Sequence, residues 1–376
     1  MCKQSDTNTK FMKKKNVEFG KKTRVKQRKL YTEEDNWLEE LGVSSSQVES
    51  VSKKSATRTL LKKTEDSGKA KEFGRVLAMG GRNWYVQPFD SDEIIECISA
   101  GTLSSMYSDS SLLAVGDIVG FQRIEHEKDS LKGLIVQVGE RTTRLSRRGI
   151  GKQSTEQVII SNADQLLIVM SAADPFYNKR LIDRYLIAAE QGGLKPLLCI
   201  NKIELMDKAF IKEDLNVYST ILDINIIFTS VKRRIGLGPL KKALKGHITV
   251  LSGPSGVGKS SLINAITGEK LQKTGSVSTR TFKGRHITSS VRIFPLLEGG
   301  GLADTPGLRE LGLWDIHPDD AAFYFHDFDP FFHQCKFTSC THRHEPDCAI
   351  KNAVQHGNID EDRYQSYLNI AESLEE

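Results

Sequence analysis

The residues best equipped for chemistry lie in HITVLSGPSGVGKSSLINAITG, positions 247–268. An apolar run leads into Gly253-Pro254-Ser255-Gly256-Val257-Gly258-Lys259-Ser260-Ser261, and a helix-forming stretch follows. This is the G-x-x-x-x-G-K-S/T pattern in a strand–loop–helix setting. Glycines let successive backbone N–H groups turn inward around phosphate oxygens, and the helix N-terminus adds partial positive charge. Lys259 is placed to bridge terminal phosphates, and the Ser260 hydroxyl to coordinate magnesium. The stretch predicts a nucleotide phosphate site.

Three further motifs extend it. Asp304-Thr305-Pro306-Gly307 follows Lys259 by 45 residues, so Asp304 can hold magnesium through water and the Gly307 N–H can meet a γ-phosphate. Asn201-Lys202-Ile203-Glu204 closes the apolar run KPLLCI, at the strand end where α/β proteins bind ligands. In GTPases an N-K-x-D motif reads guanine through its carboxylate. Glu204 keeps the carboxylate one methylene further out, which predicts guanine preference. Ser230-Val231-Lys232, after DINIIFT, fits the loop whose backbone N–H meets the guanine O6. The expected ligand is GTP or GDP with magnesium. Ordinary GTPases run phosphate loop, switch, DxxG, NKxD, SAK. This chain runs NKIE, SVK, phosphate loop, switch, DTPG, a circular permutation that leads directly from DTPG into the C-terminal segment.

A second constellation is Cys335, Cys340, His342 and Cys348, spaced C-x4-C-x-H-x5-C. Three thiolates and an imidazole make a closed tetrahedral shell for one structural zinc ion. His333 and His344 are rival ligands on spacing alone. Cys2, Cys97 and Cys199 fall in no such pattern, and Cys199 lies inside an apolar run as a small core residue.

The elements that must position these groups fall into four segments. Residues 155–314 alternate buried-type strands (165–172, 195–202, 223–230) with a helix over 178–193, the pattern of a doubly wound α/β domain. Residues 72–150 hold short strands rich in Val, Ile and aromatics, separated by turns such as Gly80-Gly81, and predict a small OB-type barrel. Its Arg75, Arg82, Trp84, Tyr85 and Arg123 suit stacking and phosphate contact on single-stranded RNA, or else the aromatics fill the barrel's own core. Residues 315–376 predict two helices, over 317–328 and near the C-terminus, around the Cys/His cluster. Residues 1–70 are polar and read as largely disordered, with one short helix over 31–43.

Charge and composition bound the remaining possibilities. The 376 residues carry a net charge of +5, yet residues 1–30 alone carry +9, which leaves −4 for the rest. A basic tail on a nearly neutral body suits a polyanion such as RNA. No run of about 18 apolar residues is present, so no membrane partner is expected. Six cysteines are too few for a disulfide scaffold, and their clustering suits metal in a reducing, cytoplasmic setting. A monomer is the default expectation.

The motif order, the preceding barrel and the following Cys/His cluster together resemble the RsgA/YjeQ family. The resemblance covers roughly residues 72–370. It is carried by GERTTRLSR (139–147), Asn162-Ala163-Asp164-Gln165, IDRYL (182–186), GPSGVGKSSLIN, GRHITSS (284–290), DTPGLRELGLW (304–314) and the Cys/His cluster. It implies a circularly permuted GTPase that assists maturation of the small ribosomal subunit. Such a protein binds rRNA, hydrolyses GTP slowly until the ribosome stimulates it, and leaves on hydrolysis. It also favours His342 as the fourth zinc ligand and makes Thr288 of the switch the magnesium ligand, although Ile287 and Ser289 depart from the family's flanking threonines. Leu308 stands where classical GTPases carry a water-orienting Gln, and a leucine cannot orient water. His286 of the switch is the candidate replacement. The competing reading is an RNA-binding scaffold with GTP as a static structural ligand; intact Lys259, Ser260 and Asp304 argue against it. An ATP-using kinase or transporter component is opposed by NKIE and SVK. His286→Ala should leave GTP affinity unchanged and lower turnover roughly tenfold or more in a single-turnover assay. Unchanged turnover would remove His286 from the reaction.

Overall fold

A run such as QLLIVMS has no polar face to offer water, so it must lie between covered neighbours. In the computed structural model it is β8 (Gln165–Ser171), buried at every position in the middle of a sheet. The structure describes residues 70–100, 103, 112–124, 132–148, 156–267, 291–305, 313 and 315–375. The basic N-terminal extension, with the helix expected over 31–43, and His286, Thr288, Gly307 and Leu308, lie outside them. All described residues belong to one unit, Ser67–Glu376.

The sheet's parallel part runs β10 (Asn225–Phe228), β9 (Lys195–Asn201), β8, β11 (Ile248–Ser252) and β13 (Gly301–Asp304), with β12 (Arg292–Pro295) antiparallel beyond. From β8 the chain proceeds outward through β9 to β10. It then returns to place β11 on the other side of β8. The crevice at the carboxyl ends of β8 and β11 is therefore the topological switch point, where such sheets bind ligands.

Helix α1 (Lys179–Gln191) connects β8 to β9. Asn178 caps it, accepting from the Leu181 N–H at 3.1 Å, and Gly192-Gly193 ends it. The remaining labelled helices are α2 (Lys208–Asp214), α3 (Asn216–Thr220), α4 (Leu237–Leu244), α5 (Lys259–Thr267), α6 (Ala349–Gln355) and α7 (Glu361–Glu375).

The N-terminal strands β1 (Glu72–Gly80), β2 (Asn83–Pro88), β3 (Ile95–Ser99), β4 (Ile118–Ile124) and β5 (Lys132–Val138) close on themselves in the order 1-2-3-5-4-1, with β3 and β5 parallel. This is a five-stranded OB-like barrel. Tyr85 is buried and Trp84 packs against the barrel core. Arg75 donates inward to the carbonyls of Gly116 and Asn162, at 3.2 and 3.0 Å. Arg123 pairs with Glu72 and Glu93. Of the five residues suited to RNA, Arg82 alone stands as an exposed cation without a described ion pair. Ala78 of β1 pairs with Arg292 of β12, so barrel and parallel sheet form one hydrogen-bonded ribbon.

One expectation changes, and one stretch divides between two sheets. Residues 133–147 hold parts of two strands. Arg141 turns inward to a buried pair with Asp117 at 2.8 Å, and the chain restarts as β6 (Arg144–Arg148), which pairs with β7 (Glu156–Ser161) in a separate sheet. The segment 317–328 does not form the expected α-helix. It forms two 3₁₀ helices, Pro318–Tyr324 and His326–Gln334, which break at Phe325. Pro330 lacks the N–H that a longer α-helix would need. Helix α6 is additional to the two expected, and Cys348 is its N-cap.

The C-terminal segment is fastened to α1 by a buried ionic cluster. Arg363 of α7 donates to Asp183 of α1, with its Nη1 2.5 Å from Oδ1, and its Nη2 pairs with Asp327 at 2.7 Å. Tyr218 donates to the same Asp183 oxygen at 2.8 Å. Burial pushes the Asp183 carboxyl up, while Arg363, Ser366 and Tyr218 pull it down. Removing the cation strands two buried carboxylates. Arg363→Ala should therefore cost roughly 3–5 kcal/mol, read as a lowered urea midpoint at pH 7. A midpoint within error of the parent would show the cluster to be energetically idle.

Candidate functional site

The phosphate loop begins where β11 ends. Gly253 has a φ of +148°, and a Cβ there would lie 2.1 Å from the Val169 carbonyl oxygen of β8. Close approach to the neighbouring strand thus excludes any side chain at the loop's first position. Gly258, with φ +95°, closes the loop, and a Cβ there would lie 2.5 Å from the Asn201 amide nitrogen. Val257 between them is buried in the core beneath α5, with Leu262, Ile263 and Ile266. Ser260 and Ser261 stand exposed on the first turn of α5. Pro254 is half-buried, and Ser255 and Gly256 are exposed at the loop's tip. The Lys259 ammonium donates to the carbonyls of Gly253 and Pro254, both at 2.7 Å.

Asp304 ends β13 beside β11, in register with Leu251. Burial raises its carboxyl above the usual range, against the pull of Lys259 and Arg292. Thr305 donates to the Leu251 carbonyl at 2.8 Å and fixes the strand end. The ammonium of the loop and the carboxylate of the DTPG motif therefore share one electrostatic site.

The NKIE motif reaches the same place from β9. Asn201 is buried; its Nδ2 donates to the Val257 carbonyl at 2.9 Å, and its Oδ1 accepts from Thr229 at 3.1 Å. One side chain thus ties strand β9, the loop after β10 and the phosphate loop together. Lys202 adopts the left-handed conformation, φ 58°, and its ammonium donates to the Asp174 carbonyl. Ile203 N–H donates to Thr229 O at 3.2 Å. Ser230 is closed into a tight turn by a two-way backbone pair with Ile235, 3.0 Å each way. Val231 packs at the edge of the core, and Lys232 is exposed.

Glu204 is the informative member. Its Oε2 is buried and has no hydrogen-bond partner among the described residues. Burial works to raise its pKa, but the Ser230 hydroxyl, its own backbone N–H, Arg233 and Lys232 carry it below the ordinary value. An ionised carboxylate with an oriented, unpaired oxygen is an acceptor waiting for N–H donors. The donor set and glycine loop thus fit a guanine nucleotide with magnesium.

The Cys/His residues also converge. The ligand atoms of Cys335, Cys340, His342 and Cys348 all lie within 4.8 Å of one another, and His333 and His344 are not among them. The His342 Nδ1 is 3.5 Å from the sulfurs of both Cys335 and Cys348. Zinc–sulfur and zinc–nitrogen bonds of about 2.3 and 2.1 Å imply nitrogen–sulfur separations of about 3.6 Å in a tetrahedron, which the two His342–Cys distances match. Burial lowers the His342 pKa, which favours the neutral imidazole that metals require. Burial first, then Cys348 and Cys335, pushes the Cys340 thiol up to about 12. Tyr364 and Tyr367 of α7 donate to the carbonyls of His342 and Thr341 and hold the loop from behind.

Sequence reasoning quoted IDRYL (182–186) but gave no role to its Tyr185, which reaches the Gly253 backbone at the root of the phosphate loop. Nor did it give a role to Asp183, and it missed Arg363. The signal was available, since both are charges placed on the apolar faces of their helices.

A parallel sheet with a phosphate loop at its switch point, and base-reading motifs that precede the loop in the chain, defines a circularly permuted P-loop GTPase. Comparison with known proteins narrows this further. The RsgA GTPase family model matches residues 138–314. The Small ribosomal subunit biogenesis GTPase RsgA of Chlorobaculum parvum is 39% identical over 81% of this chain and 98% of its own length. That of Chlorobaculum tepidum is 40% identical over the same shares. The crystal structure of YjeQ from Thermotoga maritima superposes with a TM-score of 0.63 at 30% identity, covering 81% of this chain and 98% of that one. YloQ, described as a circularly permuted GTPase, gives 0.59 at 29% identity, over 81% and 95%. The chain belongs to the RsgA family of GTPases.

Chelation by a high-affinity zinc chelator at neutral pH should expose residues 330–375 to hydrogen exchange and leave nucleotide affinity within about twofold, because the cluster touches no phosphate-loop residue. Unaltered exchange in that segment would show that no metal organises it.

Proposed function

We propose that this chain is a GTP hydrolase that acts late in assembly of the small ribosomal subunit, binds its rRNA, and leaves when GTP is hydrolysed. The names of its relatives support the partner, and the site supports the chemistry. The observation that carries the reading is the bond from Asn201 to Val257, which joins a base-reading motif to a phosphate loop 56 residues later. In the proposed division, residues 1–70 are a basic extension and 72–150 an RNA-binding OB-fold. Residues 155–314 form the GTPase domain and 315–376 the zinc-binding domain. The protein acts as a monomer in the cytoplasm. Among the described residues no helix is long and apolar enough to cross a membrane.

The roles proposed for the described residues are supported by their placement, and those of His286, Thr288 and Gly307 by the family resemblance. Backbone N–H groups of Gly253–Ser261 cradle the phosphates, and Lys259 carries the compensating charge. Asn201 holds the loop's closing turn against β9. Glu204 accepts from the guanine N–H groups, and Ser230-Val231-Lys232 line the other edge of the base. Ser260, Thr288 and Asp304 hold magnesium, which when bound neutralises charge on the phosphate oxygens. Gly307 meets the terminal phosphate, and His286 orients the attacking water. Cys335, Cys340, His342 and Cys348 hold one zinc ion as a structural cross-link. Arg363 keeps that zinc-binding segment seated on α1, whose Tyr185 abuts the phosphate loop.

Turnover of GTP by purified protein should rise at least tenfold with small ribosomal subunits, as expected where a partner completes the site, while ATP stays unused. Glu204→Ala should erode the preference for GTP over ATP by about 100-fold or more, since a site built around that carboxylate loses its hydrogen-bond readout. Glu204→Asp should retain the preference. Equal use of ATP by the parent protein, or no stimulation, would overturn the base assignment or the partner respectively.

A further inference from the structure

Between Asp223 and Glu269 the chain contains no acidic residue, yet it contains seven Lys and Arg. Lys259 belongs to the phosphate loop. The other six are Lys232, Arg233, Arg234, Lys241, Lys242 and Lys245, all exposed. Two rigid elements present them. The Ser230–Ile235 turn is clamped by its two backbone bonds and by the Arg233 N–H donating to the Ser230 hydroxyl at 3.0 Å. Gly236 then opens α4, whose Leu240 and Leu244 are buried in the core beneath the sheet. At 100° per residue, burial of those leucines turns Lys241, Lys242 and Lys245 outward on the opposite side.

Only Lys245 makes an ion pair among the described residues, with exposed Glu298 at 3.2 Å. The remaining five have no carboxylate within ion-pair distance there, although Arg233 and Lys232 also bias Glu204. A like-charged surface without internal neutralisation costs self-repulsion and returns it only when an external polyanion docks. Ile235 is the one large apolar side chain exposed on this surface, and the solvent face of α4 adds no aromatic or aliphatic row to it, so the broad apolar face that a membrane-surface helix requires is lacking.

We propose that the Ser230–Ile235 turn and the outer face of α4 form an RNA-backbone docking surface on the GTPase domain, contacting phosphates without reading bases. The inference rests on the small-subunit reading above and adds a location to it. The turn also borders Glu204, so RNA seated there lies beside the base-reading edge of the nucleotide site.

The test compares the full chain with Lys241→Glu/Lys242→Glu and with the charge-preserving Lys241→Arg/Lys242→Arg. Neither residue belongs to the nucleotide machinery, so basal GTP turnover should be unchanged and certifies folding. Binding is titrated from 50 to 200 mM salt against purified small ribosomal subunits, a structured RNA duplex, and phosphatidylserine vesicles. The expected result is about tenfold weaker binding of the Glu variant to subunits and duplex, with the slope of log K against log salt shallower by about two. The Arg variant should match the parent, and the vesicles should not bind through this face. Subunit and duplex binding unaffected by Lys241→Glu/Lys242→Glu would overturn the docking surface while leaving the assembly reading intact. Patch-dependent binding to vesicles but not RNA would replace RNA with a lipid surface. A parent that binds the duplex through the patch but not the subunits would sink the assembly reading and keep the surface. A parent that binds neither would overturn both.

Discussion

The site depends on one register. β11 lies between β8 and β13, with Thr249–Ser252 paired to Gln165–Ile168 on one side and Ile248–Leu251 to Gly301–Asp304 on the other. That placement brings the end of β9, the end of β11 and the end of β13 to one edge. Slipping β11 by one residue would turn Val250 and Leu251 to the opposite layers and move Gly253 away from the Val169 carbonyl against which it must fit. The permuted order of motifs is tolerated because this edge, and not chain order, assembles the site.

The close contacts there leave little freedom. Asn201 occupies the space that a side chain at Gly258 would need, and it satisfies both its polar atoms on backbone and hydroxyl partners. A buried amide with both its nitrogen and its oxygen bonded is specific because displacement leaves them unpaired. The same logic operates on the far side of α1. Asp183 and Asp327 are held buried by Arg363, and removing that cation alone would leave two buried carboxylates without their charge partner. Helix α1 therefore has polar attachments at both faces: Tyr185 at the phosphate loop and Asp183 at the C-terminal segment. The Cys/His loop is braced from α7 by tyrosine hydroxyls. The C-terminal segment is thus seated on α1 by buried charge.

Surface cations differ in how far the protein itself neutralises them. The cations of the barrel are largely spent internally, on the Gly116 and Asn162 carbonyls and on Glu72 and Glu93. Those of the turn after β10 and of α4 are not. Composition had pointed to aromatics and arginines of the barrel as the RNA face. Tertiary packing narrows which of them can serve it, because Tyr85 is buried, Trp84 packs against the barrel core and Arg75 braces the junction below, while Arg82 stays exposed.

Features encoded by near neighbours were legible in the sequence. The G-x-x-x-x-G-K-S loop, the fully apolar strand β8, the helix between Asn178 and Gly192, the barrel strands and the C-x4-C-x-H-x5-C spacing each follow from local conformation or short-range ligand geometry. Choosing His342 over His333 and His344 was not a local matter, since all three lie within reach along the chain and only the fold selects which imidazole meets the thiols. The break at Arg141 and the 3₁₀ turns before Cys335 came from a buried ion pair 24 residues distant and from Pro330 within a packed segment. The contacts that make the site a site join Asn201 to Val257, Thr305 to Leu251 and Asp183 to Arg363, across 56, 54 and 180 residues. The sequence by itself determined which groups are present and what each could do. Only the tertiary structure decided which of them meet, because burial and hydrogen-bond satisfaction are settled by neighbours in space, not along the chain.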